Sequence, residues 1–175
     1  MAVKPRKPAP SLEVDLVGGG RWSLAAQKPE SFSMLVFYRG LHFPVCRRYT
    51  TELNGAIGEF EKRGVSTLIL STDPKDRAER AKAEWGLANL AVGYGVPIDK
   101  AREWGLFIST SRGTTSAGIE EPPLFNEPGL FLVKPDGTLY AALIGSAPWA
   151  RPQFKDVLAA IDFVKERNYP ARGEA

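Results

Sequence analysis

Cysteine and histidine are nearly missing from this sequence, which has one of each, Cys46 and His42, among 175 residues. A single cysteine excludes an intrachain disulfide. One histidine beside it leaves no cluster of the kind zinc prefers, so neither a disulfide scaffold nor a metal or other cofactor is expected. Long apolar runs are lacking too, since the strongest, Met34 to Tyr38, falls far short of a membrane span. An excess of one charge is confined to the first residues: the formal charge of +3 rests on Lys4, Arg6 and Lys7. Acids and bases are interspersed through the remainder, which argues against a duplex-binding face. These absences point to a cytoplasmic protein in a reducing compartment, with no nucleic-acid or membrane partner.

What is present suits one globular domain, with 43% hydrophobic and 25% charged residues. Residues 1–10 hold three prolines and three cations and are expected to form a flexible leader, followed by a single domain over 11–166 and a tail over 167–175. Leu12, Val14 and Leu16 alternate with Glu13 and Asp15, then Gly18-Gly19-Gly20 leads to Arg21-Trp22-Ser23-Leu24, the pattern of a hairpin. Met34 to Tyr38 reads as a strand covered on both faces. From Pro44, apolar residues at Val45, Tyr49, Leu53, Ile57 and Phe60 keep a helical period until Gly64. Val65 to Ser71 is a second buried strand, and Asp73-Pro74 supplies a cap and a first residue for a helix ending near Gly86.

Beyond this βαβ unit lie a short apolar strand at Leu90-Ala91-Val92 and a brief helix from Ile98 to Trp104. Residues 109–128 are polar and rich in Gly and Pro, a length that marks a lid or a loose loop. Gly129 to Lys134 and Thr138 to Ile144 flank the turn Pro135-Asp136-Gly137, and a final helix is expected from Pro152. Trp22, Trp85, Trp104 and Trp149 are expected to fill the core or cover sheet edges. This order predicts a thioredoxin-like α/β/α domain with a mixed central sheet and an added N-terminal β-hairpin.

One constellation has chemistry in it. Cys46, two residues after Pro44, falls in the first turn of a helix, where free amides favour an anion and Arg47 and Arg48 add positive charge, so a reactive thiolate is expected. The alternative is a small buried residue of the core. Arg39 opens the loop and Arg112 lies in the lid, which makes them candidates for stabilising the thiolate. His42 is a candidate acid or base, with a hydrogen-bonded structural role as the alternative.

FYRGLHFPVCRRY and the later EPGLFLVKPDGTLY resemble the redoxin superfamily, in particular peroxiredoxin-like proteins of the alkyl hydroperoxide reductase and thiol-specific antioxidant type, over about residues 11 to 166. The resemblance implies a thioredoxin fold and reduction of hydroperoxides through a sulfenic acid on Cys46. Peroxiredoxins carry Pro-x-x-x-Thr-x-x-Cys, whereas Arg39, Phe43 and Cys46 stand at those places here, and Phe43 cannot hydrogen-bond a peroxide. They also usually place an arginine before the later strand. Here that place holds Pro128, which looks like the cis-proline of thioredoxin-fold oxidoreductases facing a Cys-x-x-Cys loop reduced to Phe43-Pro44-Val45-Cys46. With no second cysteine, the sulfenic acid needs an external thiol, a thioredoxin-like reductant, or Cys46 of another subunit, and a homodimer is plausible. A different class of function stays open: a non-catalytic thioredoxin-fold module that binds protein segments near Phe43 and Pro128.

Overall fold

The computed structural model describes residues 3–175. Its centre is a seven-stranded mixed sheet in the order β2 (Arg21–Ser23), β1 (Glu13–Leu16), β5 (Ala91–Tyr94), β4 (Val65–Leu70), β3 (Phe32–Phe37), β8 (Gly129–Val133) and β9 (Leu139–Ile144). The first hairpin comprises β1 (Glu13–Leu16) and β2 (Arg21–Ser23), joined through Gly18, Gly19 and Gly20, all at positive φ, as the triple glycine suggested. Then come β3 (Phe32–Phe37), α1 (Pro44–Lys62), β4 (Val65–Leu70), α2 (Lys75–Glu84), β5 (Ala91–Tyr94) and α3 (Ile98–Glu103). β3 pairs parallel with β4, and β4 with β5, so the βαβ reading holds. β6 (Ile108–Thr110) and β7 (Leu124–Asn126) form a separate two-stranded ribbon. β8 (Gly129–Val133) pairs antiparallel with β3, β9 (Leu139–Ile144) pairs antiparallel with β8, and α4 (Phe154–Arg167) ends the fold.

Every residue of β3 is buried because the sheet is covered on both sides. On one face Met34, Val36, Ile69, Val92, Leu130 and Leu132 pack with Leu53 and Phe60 of α1, Ala78 and Ala81 of α2, and Phe154, Val157 and Ile161 of α4. On the other, Leu35, Phe37, Leu68, Leu70, Phe131 and Val133 pack around Ala101 of α3 and Trp104. Each such large side chain contributes roughly 2 kcal/mol of burial. The three layers of the expected α/β/α domain are therefore present, with α3 alone against the second face.

Several expectations need correction. Of the expected leader, residues 1 and 2 lie outside the described residues, and the rest is not a loose appendage: Arg6 N–H donates to Leu139 O at 2.8 Å, Leu139 N–H to Lys7 O at 2.9 Å, and Ala9 N–H to Gly137 O at 3.0 Å. Residues 6–9 thus cover the start of edge strand β9, whose backbone groups would otherwise stay open. The tail also packs back, with Ala171 buried and its carbonyl accepting from Arg6 Nε at 2.9 Å. Asp73 does not cap α2. Its carboxylate turns to another chain segment, and Pro74 is the N-cap with no side-chain bond. α4 starts two residues after Pro152, with Gln153 as its N-cap. Trp85 and Trp104 are core residues and Trp22 is half-buried, but Trp149 is 71% exposed. Among the described residues, no helix is long and apolar enough to cross a membrane.

Candidate active site

The turn from Tyr38 to Phe43 connects the C-terminal end of β3 to α1. Gly40 is at its centre with φ +142°, and a Cβ there would lie 2.8 Å from His42 Nδ1 and 2.9 Å from Asp73 Oδ1. Only glycine fits that approach. Asp73 Oδ2 accepts the Leu41 N–H at 2.7 Å, which ties the turn to the end of β4. Phe43 is the N-cap of α1 and supplies no side-chain bond, so the amides of the first turn have no cap, and no acidic residue lies there. Pro44 takes the first helical position and Cys46 the third, as its spacing implies.

Cys46 is completely buried, at 0% exposure. Its Sγ accepts two hydrogen bonds, from the Arg39 backbone N–H at 3.3 Å and from Arg151 Nη2 at 3.1 Å. Arg151 is held by its own Nε, which donates to Pro148 O at 2.9 Å, and its guanidinium lies 5.2 Å from the Tyr49 ring centroid and 5.9 Å from that of Phe43. The Tyr49 hydroxyl donates to Pro152 O at 2.7 Å and so fastens the segment carrying Arg151 onto α1. Burial raises the pKa of that hydroxyl, which keeps it a neutral donor.

The candidate residues separate into those that meet the sulfur and those that do not. Arg39 meets it through its backbone alone. Its guanidinium turns away to Glu127, with Nη2 to Oε1 at 3.1 Å, lies 3.9 Å from Glu121, and stacks on Phe43 at 4.6 Å and Phe125 at 4.8 Å. Arg39 is therefore already neutralised by buried acids. Arg47 and Arg48 are exposed, with no side-chain bond to Cys46. One residue along a helix is a rotation of about 100°, which carries Arg47 off the buried face. Arg112 is also exposed, and only its backbone is engaged, donating to Glu121 Oε2 at 2.7 Å. Arg112 therefore does not reach the sulfur, and the guanidinium that does is that of Arg151.

His42 is buried edge-on against Phe125, with ring centroids 4.7 Å apart, and neither ring nitrogen has a hydrogen-bond partner among the described residues. Burial first, then the Arg39 charge, pushes its pKa down to about 4, so the ring is neutral near pH 7. It is neither the hydrogen-bonded histidine expected by default nor an acid or base at the sulfur. Its backbone carbonyl does accept from the Thr115 hydroxyl at 2.6 Å. Thr115 belongs to the 109–128 stretch, which forms an arm of paired β6 and β7 laid over the turn.

Pro128 is buried, but no cis peptide occurs among the described residues, so the expected cis-proline is trans. The Glu127 carbonyl that precedes it accepts from Asn126 Nδ2 at 3.2 Å, and the Glu127 N–H donates to Phe107 O at 2.8 Å, so both backbone polar groups of the residue before the proline are held. Among the described residues, no three His, Cys, Asp or Glu side chains gather to hold a metal. Arg151, Glu127, Asn126 and Asp73 were not singled out as site residues by the sequence. The one available signal for Arg151 was indirect: the resemblance implies an arginine beside the cysteine, and the usual place for it holds Pro128.

The comparisons accord with this geometry. A model of the AhpC/TSA family matches residues 5–142. Among solved structures, the chain is similar to peroxidoxin BcpB from Mycobacterium tuberculosis, with TM-score 0.71 and 16% identity over 93% of this chain and 98% of that one. It is also similar to a reduced 2-Cys peroxiredoxin of Plasmodium vivax, at TM-score 0.76 and 17% identity over 95% and 84% of the two chains. For peroxiredoxin 6 of Arenicola marina the values are 0.74 and 20%, over 95% and 75%. At such identities these likenesses establish the fold. No curated protein matches the sequence.

Proposed function

The chain belongs to the AhpC/TSA family, and on that premise we propose that it is a thiol peroxidase whose only redox centre is Cys46. The observation that carries this reading is the pair of donors on one sulfur, the Arg39 N–H and the Arg151 guanidinium, at the first turn of α1. A sulfur so placed accepts from a peptide dipole and a full positive charge, the surroundings of a reactive rather than an inert cysteine. The Arg151 guanidinium also leaves Nη1 buried without a partner among the described residues, a free donor beside the reacting atom.

In the proposed reaction, Cys46 Sγ as thiolate attacks the terminal oxygen of a hydroperoxide. The S–O bond forms as the O–O bond breaks, and the departing alkoxide or hydroxide takes a proton to leave as alcohol or water. Sulfur is oxidised and the peroxide reduced. The chain has no second cysteine, so an external thiol condenses with the sulfenic acid, releasing water and leaving a mixed disulfide. A second equivalent of that thiol then frees Cys46 and leaves as the disulfide. Because Cys46 is fully buried, peroxide enters only as the Arg151 segment or the Phe43 turn shifts. The same burial favours a second reading, a binding module of thioredoxin fold with an inert thiol.

Turnover separates the two. Peroxide consumption is followed in the presence of a low-molecular-weight thiol, or of a reduced thioredoxin-like protein. The wild type is expected to consume hydroperoxide catalytically and Cys46→Ser to fall to the uncatalysed rate. Equal rates for both proteins would leave the binding module as the better reading.

A further inference from the structure

One peptide unit next to the sulfur is gripped at both ends. Between Tyr38 and Arg39, the N–H donates to Cys46 Sγ at 3.3 Å, while the carbonyl oxygen of the same peptide, Tyr38 O, accepts from Asn126 Nδ2 at 3.0 Å. Asn126 closes β7 and is completely buried. Its Oδ1 accepts the Thr72 N–H at 3.0 Å, and Nδ2 also donates to Glu127 O at 3.2 Å. The amide orientation is therefore dictated by its partners, since a backbone N–H requires the oxygen and two carbonyls require the nitrogen. One side chain thus joins the ends of β3 and β4 and the entry to β8.

We propose that Asn126 is a positioning residue for the peroxide reaction, acting through the Tyr38–Arg39 peptide. Its amide fixes the plane of that peptide so that the N–H points at Cys46 Sγ. By donating to the carbonyl, it also polarises the unit and strengthens the N–H as a donor, because chained hydrogen bonds in a dry interior reinforce one another. The residue type matters. A carboxylate at 126 sets a negative oxygen against Tyr38 O and removes the donor, and an aliphatic side chain leaves Tyr38 O and the Thr72 N–H unpaired in the interior. The inference rests on the reading of Cys46 as the reacting sulfur.

The test uses Asn126→Asp and Asn126→Ala in the full chain. The first readout is the second-order rate of Cys46 oxidation by hydrogen peroxide, and the second is the pH profile of Cys46 alkylation by iodoacetamide. A rate lowered about tenfold, the worth of one hydrogen bond near the reacting atom, together with an alkylation profile moved to higher pH, is the expected result. A folded variant with both readouts unchanged overturns the proposal. Should the variants fail to fold, the wild type still decides by nuclear magnetic resonance: the Asn126 side-chain amide signals are expected to move with the Cys46 titration. Signals that stay fixed while the Arg39 N–H moves overturn it. A wild type inert to peroxide would instead break the assignment of Cys46 as a peroxidase centre, and the alkylation and resonance readouts would still decide the role of Asn126.

Discussion

Around Cys46 the sulfur and the peptide before Arg39 are partnered, with Arg151 Nη1 left over as a donor: the Arg39 N–H and Arg151 Nη2 both reach the sulfur, and Asn126 holds the Tyr38 carbonyl. By contrast, both ring nitrogens of His42 and Asp73 Oδ1, which lie against Gly40, are buried with no hydrogen-bond partner among the described residues. Buried polar atoms left unpaired cost free energy. The difference shows that the sulfur is bonded from two separate parts of the chain, while the buried polar atoms of His42 and Asp73 are not all matched. It also shows that positive charge near a cysteine in sequence need not be positive charge near it in space. Arg47 follows Cys46 directly and is exposed, whereas Arg151 is 105 residues away and touches the sulfur.

The sharpest way to break this comparison is to remove the distant cation and keep the near ones. Arg151→Met is expected to slow oxidation of Cys46 by hydrogen peroxide by about a hundredfold, the scale of losing one charged donor at a reacting atom. Arg47→Ala and Arg112→Ala are expected to stay within about twofold, both being exposed. Stopped-flow rates for the three variants check this. Comparable losses in all three would mean that the summed positive field, rather than one placed guanidinium, governs the sulfur.

A smaller effect probes His42 and Asp73 through pH. His42 has its pKa pushed from 6.5 to about 4, chiefly by burial. Unfolding therefore takes up a proton between those values, and the stability that His42 contributes above pH 6.5 is lost as the pH falls toward 4. Asp73 runs the other way. Burial raises its pKa from 3.8 to about 6, against the lowering effect of the Leu41 N–H bond and the Arg77 charge, and Asp76 adds to the rise. The folded state keeps a proton there that the unfolded chain releases, so this contribution is most favourable below 3.8 and is lost as the pH rises through 6. The two slopes oppose one another between about 4 and 6. Asp73→Asn, which keeps an acceptor for Leu41, removes one of them, and its unfolding free energy is expected to drop by roughly 2 kcal/mol more than that of wild type from pH 6.5 to 4. Urea titrations at several pH values check the sign, and a variant less sensitive to acid than wild type would contradict it.

The fold was legible wherever local pattern determines structure. The apolar run Met34 to Tyr38 marked β3, helical spacing marked α1, and Pro135-Asp136-Gly137 marked the β8–β9 turn, each within a short window of chain. Pairing of the leader with Thr138 and Leu139 left no such mark, because a proline-rich segment that bonds through its backbone shows no apolar alternation. Asp73 followed by Pro74 looked like a cap, yet the carboxylate is drawn to Leu41, a partner that only the fold brings near. Within the site, the place of Cys46 followed from its distance to Pro44 along one helix. Arg151 reaches the sulfur and Asn126 the Tyr38 carbonyl from distant parts of the chain, and nothing in their own neighbourhoods announces that destination.

The most direct test of the central claim is the intact mass of the reduced protein after a substoichiometric addition of hydrogen peroxide, followed by peptide mapping. One added oxygen on Cys46, trapped there by a dione reagent specific for sulfenic acid and reversed by thiol when untrapped, is the predicted result. Oxidation confined to methionine, or an unchanged mass with Cys46 still free, would contradict the account.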